Sequence, residues 1–301
     1  MLTIVVIVPT YNRPEEALEC VEALLDSGYA GLTVDMMDQS SDGQTEELLK
    51  KVDDRRLRYH HVDKPGKSRA INLAIEGSSS DIIAIMDDDC FVMRGWAEMV
   101  IEEFESDPEL GVICGAVLPR HANEDAATIG VSVSQKRVLH VNRRNPYGYA
   151  AGANIAFRRA LIARAGLYDE NLGPGAIFKA VEDNEYFYRL LRSCERTLYT
   201  PQLICHHKQW RSWVEIQKRL DDYRIGNSAF IGKHLARGDA MPTWYYSKFL
   251  GRCLMEAISR RSRYQMRFFL SELRILLPWT VRCFLWYRQL ARVEATAALC
   301  K

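Results

Sequence analysis

The chain has 301 residues, 48% of them hydrophobic and 26% charged, the balance of an ordinary globular protein with one large domain or a domain plus an appendage. No uninterrupted apolar run approaches the roughly 18 residues of a membrane-spanning helix, so none is expected. Formal net charge is +1, yet Arg211 to Arg292 holds 16 Lys and Arg against 6 Asp and Glu, leaving 24 against 33 elsewhere. That asymmetry aims the C-terminal part at an anionic surface.

Leu2 to Val8 is apolar, has no basic residue before it and is cut short by Pro9-Thr10. Ile4 to Val8 is therefore read as a first buried strand and not as a signal peptide. Pro9 to Pro14 turns into a helix, with Ala17, Val21, Leu24 and Leu25 at helical spacing. Leu32 to Met37 is a second strand ending at Asp38, Asp42-Gly43 a turn, and Thr45 to Leu49 the start of another helix. Leu57 to Val62 is a third strand, Lys64-Pro65-Gly66-Lys67 punctuates it, and Ser68 to Glu76 is helical.

Ile82 to Met86 then runs straight into Asp87-Asp88-Asp89. A short apolar run without helical spacing is a strand buried on both faces. Three carboxylates cannot follow it into the core, because an unpaired buried charge is too costly. They must emerge at the sheet's carboxyl edge, where open α/β folds bind ligands. A hard divalent cation shared with substrate phosphates is their natural compensation. The same residues also suit an acidic loop or a helix N-cap before Gly95-Trp96.

Further on, Gly95 to Glu105 is a helix, Gly111 to Leu118 a strand, and His121 to Tyr149 a set of loops covering the sheet's edge. Gly152 to Phe157 reads as a strand, and Arg158 to Ala165 as a short helix capped by Gly166. Val181 to Ser193 is an amphipathic helix that begins at Glu182-Asp183, and Thr197 to Pro201 a short strand or turn. After Trp213 come long arginine-rich helices, one with a stripe of Phe249, Leu250, Cys253, Leu254, Ala257 and Ile258. Phe268 to Leu290 is more apolar, interrupted by Glu272, Arg274, Pro278 and Arg282. The eight cysteines are scattered without a CxxC pair, which suits reduced thiols in a cytosolic compartment. The alternation predicts a doubly wound, largely parallel α/β sheet over 1–210 and a basic amphipathic helical region over 211–301.

Three strand ends in the first ninety residues carry polar groups: Thr10 to Arg13, Asp38, and the Asp triplet. In a parallel sheet these converge on one crevice. Together with Lys67 and Arg69 they suit a nucleoside diphosphate: a ring to stack, a carboxylate for base or ribose, and a metal for the phosphates. Neither GxGxxG nor a Walker A lysine loop follows the first strand, which speaks against a nicotinamide enzyme and a P-loop ATPase.

In these motifs the sequence resembles the GT-A fold, family 2 glycosyltransferases. The likeness is carried by Ile7 to Arg13, Asp38 with Ser41-Asp42-Gly43, Gly66 to Asn72, Met86 to Cys90 with Gly95-Trp96, Gly152 to Arg158, and Glu182-Asp183 before Arg189-Leu190. It covers roughly residues 1–210, in order. It implies a Rossmann-like GT-A sheet flanked by helices, with an α-helical C-terminal extension. It also implies an inverting transferase that uses a nucleotide-activated sugar, UDP-sugar first among donors, with Mn²⁺ or Mg²⁺. By position, Thr10, Tyr11, Arg13 and Asp38 would bind nucleobase and ribose, with Arg69 near them. Asp87 and Asp89 match the family's DxD around Asp88; Asp89 is the first choice as metal ligand, with Asp87 beside it. Gly152 to Asn154 would lie along the donor sugar. Asp183, in its Glu182-Asp183 pair, matches the catalytic base, which takes the proton of an acceptor hydroxyl; plain helix N-terminal charge would also put acids there. His206-His207 follow an apolar pair, and His207 is a further metal candidate, though a histidine pair in a surface turn fits too. Trp210 and Trp213 would border the acceptor or pin the first C-terminal helix.

The basic helices suit a solvated cover, a homodimer contact or a platform on anionic lipid. Arginines beside Phe268, Phe269, Trp279, Phe284, Trp286 and Tyr287 favour the last, with the protein cytoplasmic and peripheral on the membrane's cytoplasmic face and a glycan or lipid-linked acceptor. No nucleic-acid motif accompanies the charge. Two other functions compete with transfer: a sugar-nucleotidyltransferase, which would want a glycine-rich loop after the first strand, and a non-catalytic scaffold on a degenerate GT-A fold.

Overall fold

The computed structural model describes residues 1–121, 127–139 and 152–299. Strands β1 (Ile4–Thr10), β2 (Leu32–Asp38), β3 (Leu57–His61) and β4 (Ile82–Ile85) alternate with helices α1 (Pro14–Leu25), α2 (Gln44–Leu49) and α3 (Lys67–Gly77). Every residue of β1 and β4 is buried, as befits β-branched runs covered on both faces. β1 pairs in parallel with β2 and β4, and β2 with β3. Their polar ends therefore share one edge. Thr10 stands opposite Asp38 in register, and Asp87 to Asp89 follow β4 directly.

The chain continues through β5 (Cys90–Val92), α4 (Trp96–Ser106), β6 (Leu110–His121), β7 (Val138–Leu139), β8 (Ile155–Arg158), α5 (Ile162–Ala165), α6 (Glu182–Ser193) and β9 (Arg196–Gln209). The sheet runs β3-β2-β1-β4-β8-β6-β9-β5, with β7 on β9. β8 is antiparallel to both β4 and β6, so the sheet is parallel through its first four strands and mixed beyond. One apolar core, with Val8, Val21 and Phe104, fills one face; a second, with Ile7, Ile71 and Tyr186, fills the other.

Two strands depart from expectation. Thr197 to Pro201 is only the opening of β9, which extends for 14 residues through His206 and His207. The histidine pair thus lies on a strand and not in a surface turn. The short β5 carried no periodic signal, yet it pairs antiparallel with β9 and sets Cys90 opposite His207. Where β6 and β9 shift register, a Cβ on Gly115 would stand 2.0 Å from the Leu203 carbonyl oxygen, so the approach admits only glycine. Of the loops expected over His121 to Tyr149, residues 122–126 and 140–149 lie outside the described residues. Val138 and Leu139 pair with β9, and Ser132 bridges to Val117.

The chain divides into two compact units, Met1–Asn171 with Glu182–Ile216 and Leu172–Val181 with Gln217–Lys301. The strands described all belong to the first. The second is built from α7 (Trp213–Ala236), α8 (Met241–Ser259) and α9 (Arg263–Leu299). Residues 172–181 join these helices because Leu172 and Phe178 pack with Ala229, Cys283 and Tyr287. Trp279 and Trp286 pack on the same cluster, and Phe269 on a neighbouring one around Tyr246 and Leu250. These aromatics therefore pack on the helical core, Phe269, Trp279 and Trp286 partly buried and Tyr287 buried. Ile258 is 57% exposed and leaves the predicted α8 stripe, Trp213 is 62% exposed, and Pro278 sits within α9 without ending it. No described helix is long and apolar enough to cross a membrane.

Candidate active site

The site is assembled where β1, β4 and β9 end and α3 and α6 begin. Asp88, the middle residue of the triplet, is buried and fully occupied. It accepts a hydrogen bond from Thr10 Oγ1 at 2.8 Å and pairs with Arg13 Nη1 at 2.8 Å. Burial, with Asp89 and Asp87 close by, pushes its carboxyl up to about 6 against the pull of Arg13. Thr10 thus ties Asp88 to the strand end that faces Asp38. Asp38 is itself buried, accepting from the Tyr59 hydroxyl at 2.8 Å and the Ser40 amide at 2.9 Å. Tyr11 follows Thr10 directly at the end of β1 and is 53% exposed.

Asp89 turns the other way. Its Oδ1 lies 3.3 Å from His207 Nε2, and its Oδ2 accepts from Arg13 Nη1 at 2.9 Å and Trp210 Nε1 at 3.3 Å. Burial opposes ionisation, but the His207 hydrogen bond and the charges of His207 and Arg13 hold Asp89 far below the usual carboxylate range. Burial likewise works against charge on His207, and the bond to Asp89 overcomes it, raising the imidazole above its ordinary value. Trp210 also stacks beneath Arg13, whose guanidinium is 4.9 Å from the ring centre.

Asp87 faces a second set of carboxylates. Lys67 Nζ lies 2.9 Å from Asp87 Oδ1, 2.9 Å from Asp183 Oδ2 and 3.1 Å from Glu182 Oε1. Gly66, at φ +149°, turns the chain into α3 so that Lys67 is the first helical residue. At the start of α6, Val181 holds φ +75° directly before Glu182. A β-branched residue there is strained, and such strain gathers at functional sites. Burial and the charges of Glu182 and Asp87 push Asp183 up to about 7, although Lys67 pulls it down. Asp183 Oδ1 is buried and has no hydrogen-bond partner among the described residues. Gly152 lies against this carboxylate so tightly that a Cβ would come within 2.1 Å of Oδ2.

The predicted residues are thus brought together in two linked groups, Thr10, Arg13, Asp88, Asp89, His207 and Trp210 on one side and Asp87, Glu182, Asp183 and Gly152 on the other. Asn154 stands apart. Its side chain is spent on Trp96, Ala116 and Leu203 inside the core, at 3.0, 3.0 and 2.9 Å, so it braces β8 and offers no side-chain atom to a donor. Arg69 is half-buried on α3, and its Nε has no partner among the described residues. Lys67, read from sequence only as a nearby positive charge, proves to be the link between the triplet and the Glu182-Asp183 pair. A lysine immediately after Gly66 at a helix start was the available signal.

Asp89, Cys90 and His207 bring three ligand atoms within 4.8 Å of one another. A carboxylate oxygen suits Mn²⁺ or Mg²⁺, and an imidazole nitrogen beside it suits a divalent transition ion better than Mg²⁺. The Cys90 thiol does not, since burial and Cys205 keep it protonated. The donor set fits a divalent ion on Asp89 and His207, whereas Asp87 is directed to Lys67.

A mixed α/β sheet that gathers an Asp triplet and a second acidic pair at its strand ends is the GT-A architecture of sugar-transferring enzymes. The chain belongs to Glycosyl transferase family 2, whose profile matches residues 5–164. A pre-mycofactocin glycosyltransferase of Mycobacterium tuberculosis is 25% identical over 164 residues, covering 52% of this chain but only 33% of that relative. A glucosyl-dolichyl phosphate glucuronosyltransferase of Haloferax volcanii is 26% identical over 220 residues, 67% of this chain and 68% of the relative. Among solved structures, S. aureus TarS 1–349 superposes with a TM-score of 0.63 at 12% identity, over 97% of this chain and 92% of that 1–349 chain. Its complex with UDP-GlcNAc gives 0.58 at 13% identity, with the same coverage. At this identity the likeness is one of fold.

Proposed function

We propose that the chain moves a sugar from a UDP-sugar to an acceptor hydroxyl with inversion at the anomeric carbon, Asp183 acting as the base. The observation that carries this is the buried, unpartnered Oδ1 of Asp183, whose other oxygen is fixed by Lys67. An unsatisfied buried acceptor is costly unless something fills it, and an acceptor hydroxyl donates the needed hydrogen bond. As that hydroxyl oxygen bonds to the anomeric carbon, its proton passes to Asp183. The bond from the same carbon to the diphosphate oxygen breaks, and its electron pair leaves with the diphosphate.

The remaining residues suit the donor. Tyr11 is free to stack on a base, and Thr10, Arg13 and Asp38 stand at the same strand ends. Arg69 Nε, a buried donor without a partner, is suited to a phosphate or ribose oxygen. A divalent ion held by Asp89 and His207 would supply Lewis-acid neutralisation of the diphosphate. A UDP-sugar is favoured because the solved relative of like fold binds UDP-GlcNAc. A lipid-linked acceptor is in keeping with the dolichyl phosphate in the name of the Haloferax relative.

Incubation with a panel of UDP-sugars and Mn²⁺, followed by assay of products, tests the reading. Release of UDP that stops on adding a chelator is the expected result. Pyrophosphate release would indicate a nucleotidyltransferase, and thermal stabilisation by donor without turnover over a broad acceptor panel would indicate a binding scaffold.

A further inference from the structure

The long helix α9 presents one continuous face to solvent. Its exposed residues include Arg263, Arg267, Arg274 and Arg288, and between them Leu270, Leu277, Val281 and Leu285. The intervals are three or four residues throughout, so the eight side chains form a single stripe. It is about 38 Å long at 1.5 Å per residue. The four aliphatic side chains are 55–60% exposed. From Arg263 to Val293 the only acid is Glu272. It is buried beneath the stripe and held by Arg224 and Tyr246, both at 2.6 Å.

We propose that this face of α9 docks on an anionic lipid bilayer, lying along the headgroup boundary. The aliphatic side chains enter the acyl region while the guanidinium groups remain at the level of the phosphates, their stems covering apolar surface. The pattern discriminates between occupants. A second copy packed through the same stripe would set arginines against arginines with no acid to receive them. Nucleic acid would satisfy the arginines and leave the interleaved leucines facing charge. An anionic bilayer satisfies both. The inference concerns the helical unit alone and stands independently of the transfer reaction.

The test is co-sedimentation of the full chain with large vesicles, either phosphatidylcholine alone or equal parts phosphatidylcholine and phosphatidylglycerol. Binding to the mixed vesicles, weakened by salt and absent from phosphatidylcholine, is expected. Replacing three exposed arginines together (R267Q, R274Q, R288Q) should lower partitioning on the order of a hundredfold. Replacing the aliphatic set (L277S, V281S, L285S) should lower it by about tenfold or more, even at low salt. Far-ultraviolet circular dichroism and thermal melting check that both variants remain folded. No binding to the anionic vesicles, binding indifferent to lipid charge, or binding unchanged in both variants would overturn the proposal. So would light scattering that shows a dimer lost in the same variants while the parent chain fails to bind vesicles.

Discussion

The ammonium of Lys67 stands 2.9 Å from Asp183 Oδ2 and equally close to Asp87 Oδ1. A lysine with three carboxylates around it is held well above its ordinary pKa, because Asp183, Asp87 and Glu182 together outweigh the cost of its burial. It is the cation around which the acidic residues of α6 and the triplet are gathered, and it keeps Asp183 from rising even further above the usual carboxylate range.

The pH dependence of transfer follows from the same carboxylate. Asp183 is raised to about 7, and a base acts when ionised. Below that value kcat/KM should fall about tenfold per pH unit, and above it the profile should level off. A pH–rate profile in the free-enzyme regime measures this; a profile flat from pH 5 to 8 would remove Asp183 from the proton transfer.

Replacing Lys67 with Met removes a charge and a hydrogen bond that lower the Asp183 pKa. The acid limb of the profile should then move to higher pH, and the uncompensated carboxylates should lower stability by about 3–5 kcal/mol. Denaturant unfolding and the pH–rate profile together separate a positioning role from mere loss of fold, since structural damage alone would not shift the limb.

Gly152→Ala would place a Cβ 2.1 Å from Asp183 Oδ2, nearer than any non-bonded contact allows. The carboxylate must move, and misplacement of a reacting group by about 1 Å costs on the order of a hundredfold in rate. Steady-state kinetics should show the loss mainly in kcat, with KM for the donor little changed.

Metal binding should depend on Asp89 and His207 and not on the neighbouring thiol. Calorimetric titration with Mn²⁺ should show His207→Ala weakening affinity by about tenfold or more, as residues that only orient ligands already cost that much. Cys90→Ser should leave it unchanged. A loss confined to the cysteine variant would reverse the assignment.

Much of this site was legible because buried parallel strands read as unbroken apolar runs. Ile4 to Val8 and Ile82 to Met86 announce themselves, and their polar tips must then share an edge. β9 was legible only at its start: past Pro201 it reads Gln202-Leu203-Ile204-Cys205-His206-His207-Lys208-Gln209, a three-residue apolar stretch running into a polar tail, and no periodic rule separates that from a turn. Three-residue β5 is too short for any pattern, so the meeting of Asp89 and His207 could not be placed by spacing. Composition alone suggested that the aromatics of α9 face outward with its arginines. The fold turns Trp279, Trp286 and Tyr287 inward, because large rings bury more surface than the leucines left outside. Residues 172–181 join the helical unit through packing such as that of Leu172 and Phe178, which no local propensity encodes.

The central claim is that Asp183 takes the acceptor's proton, and Asp183→Asn tests it most directly. The substitution keeps shape and size while abolishing the base. UDP-sugar binding, followed by calorimetry, should persist, and transfer should drop by a factor of about 10² to 10⁴. Turnover at the parent rate with intact donor binding would contradict the account.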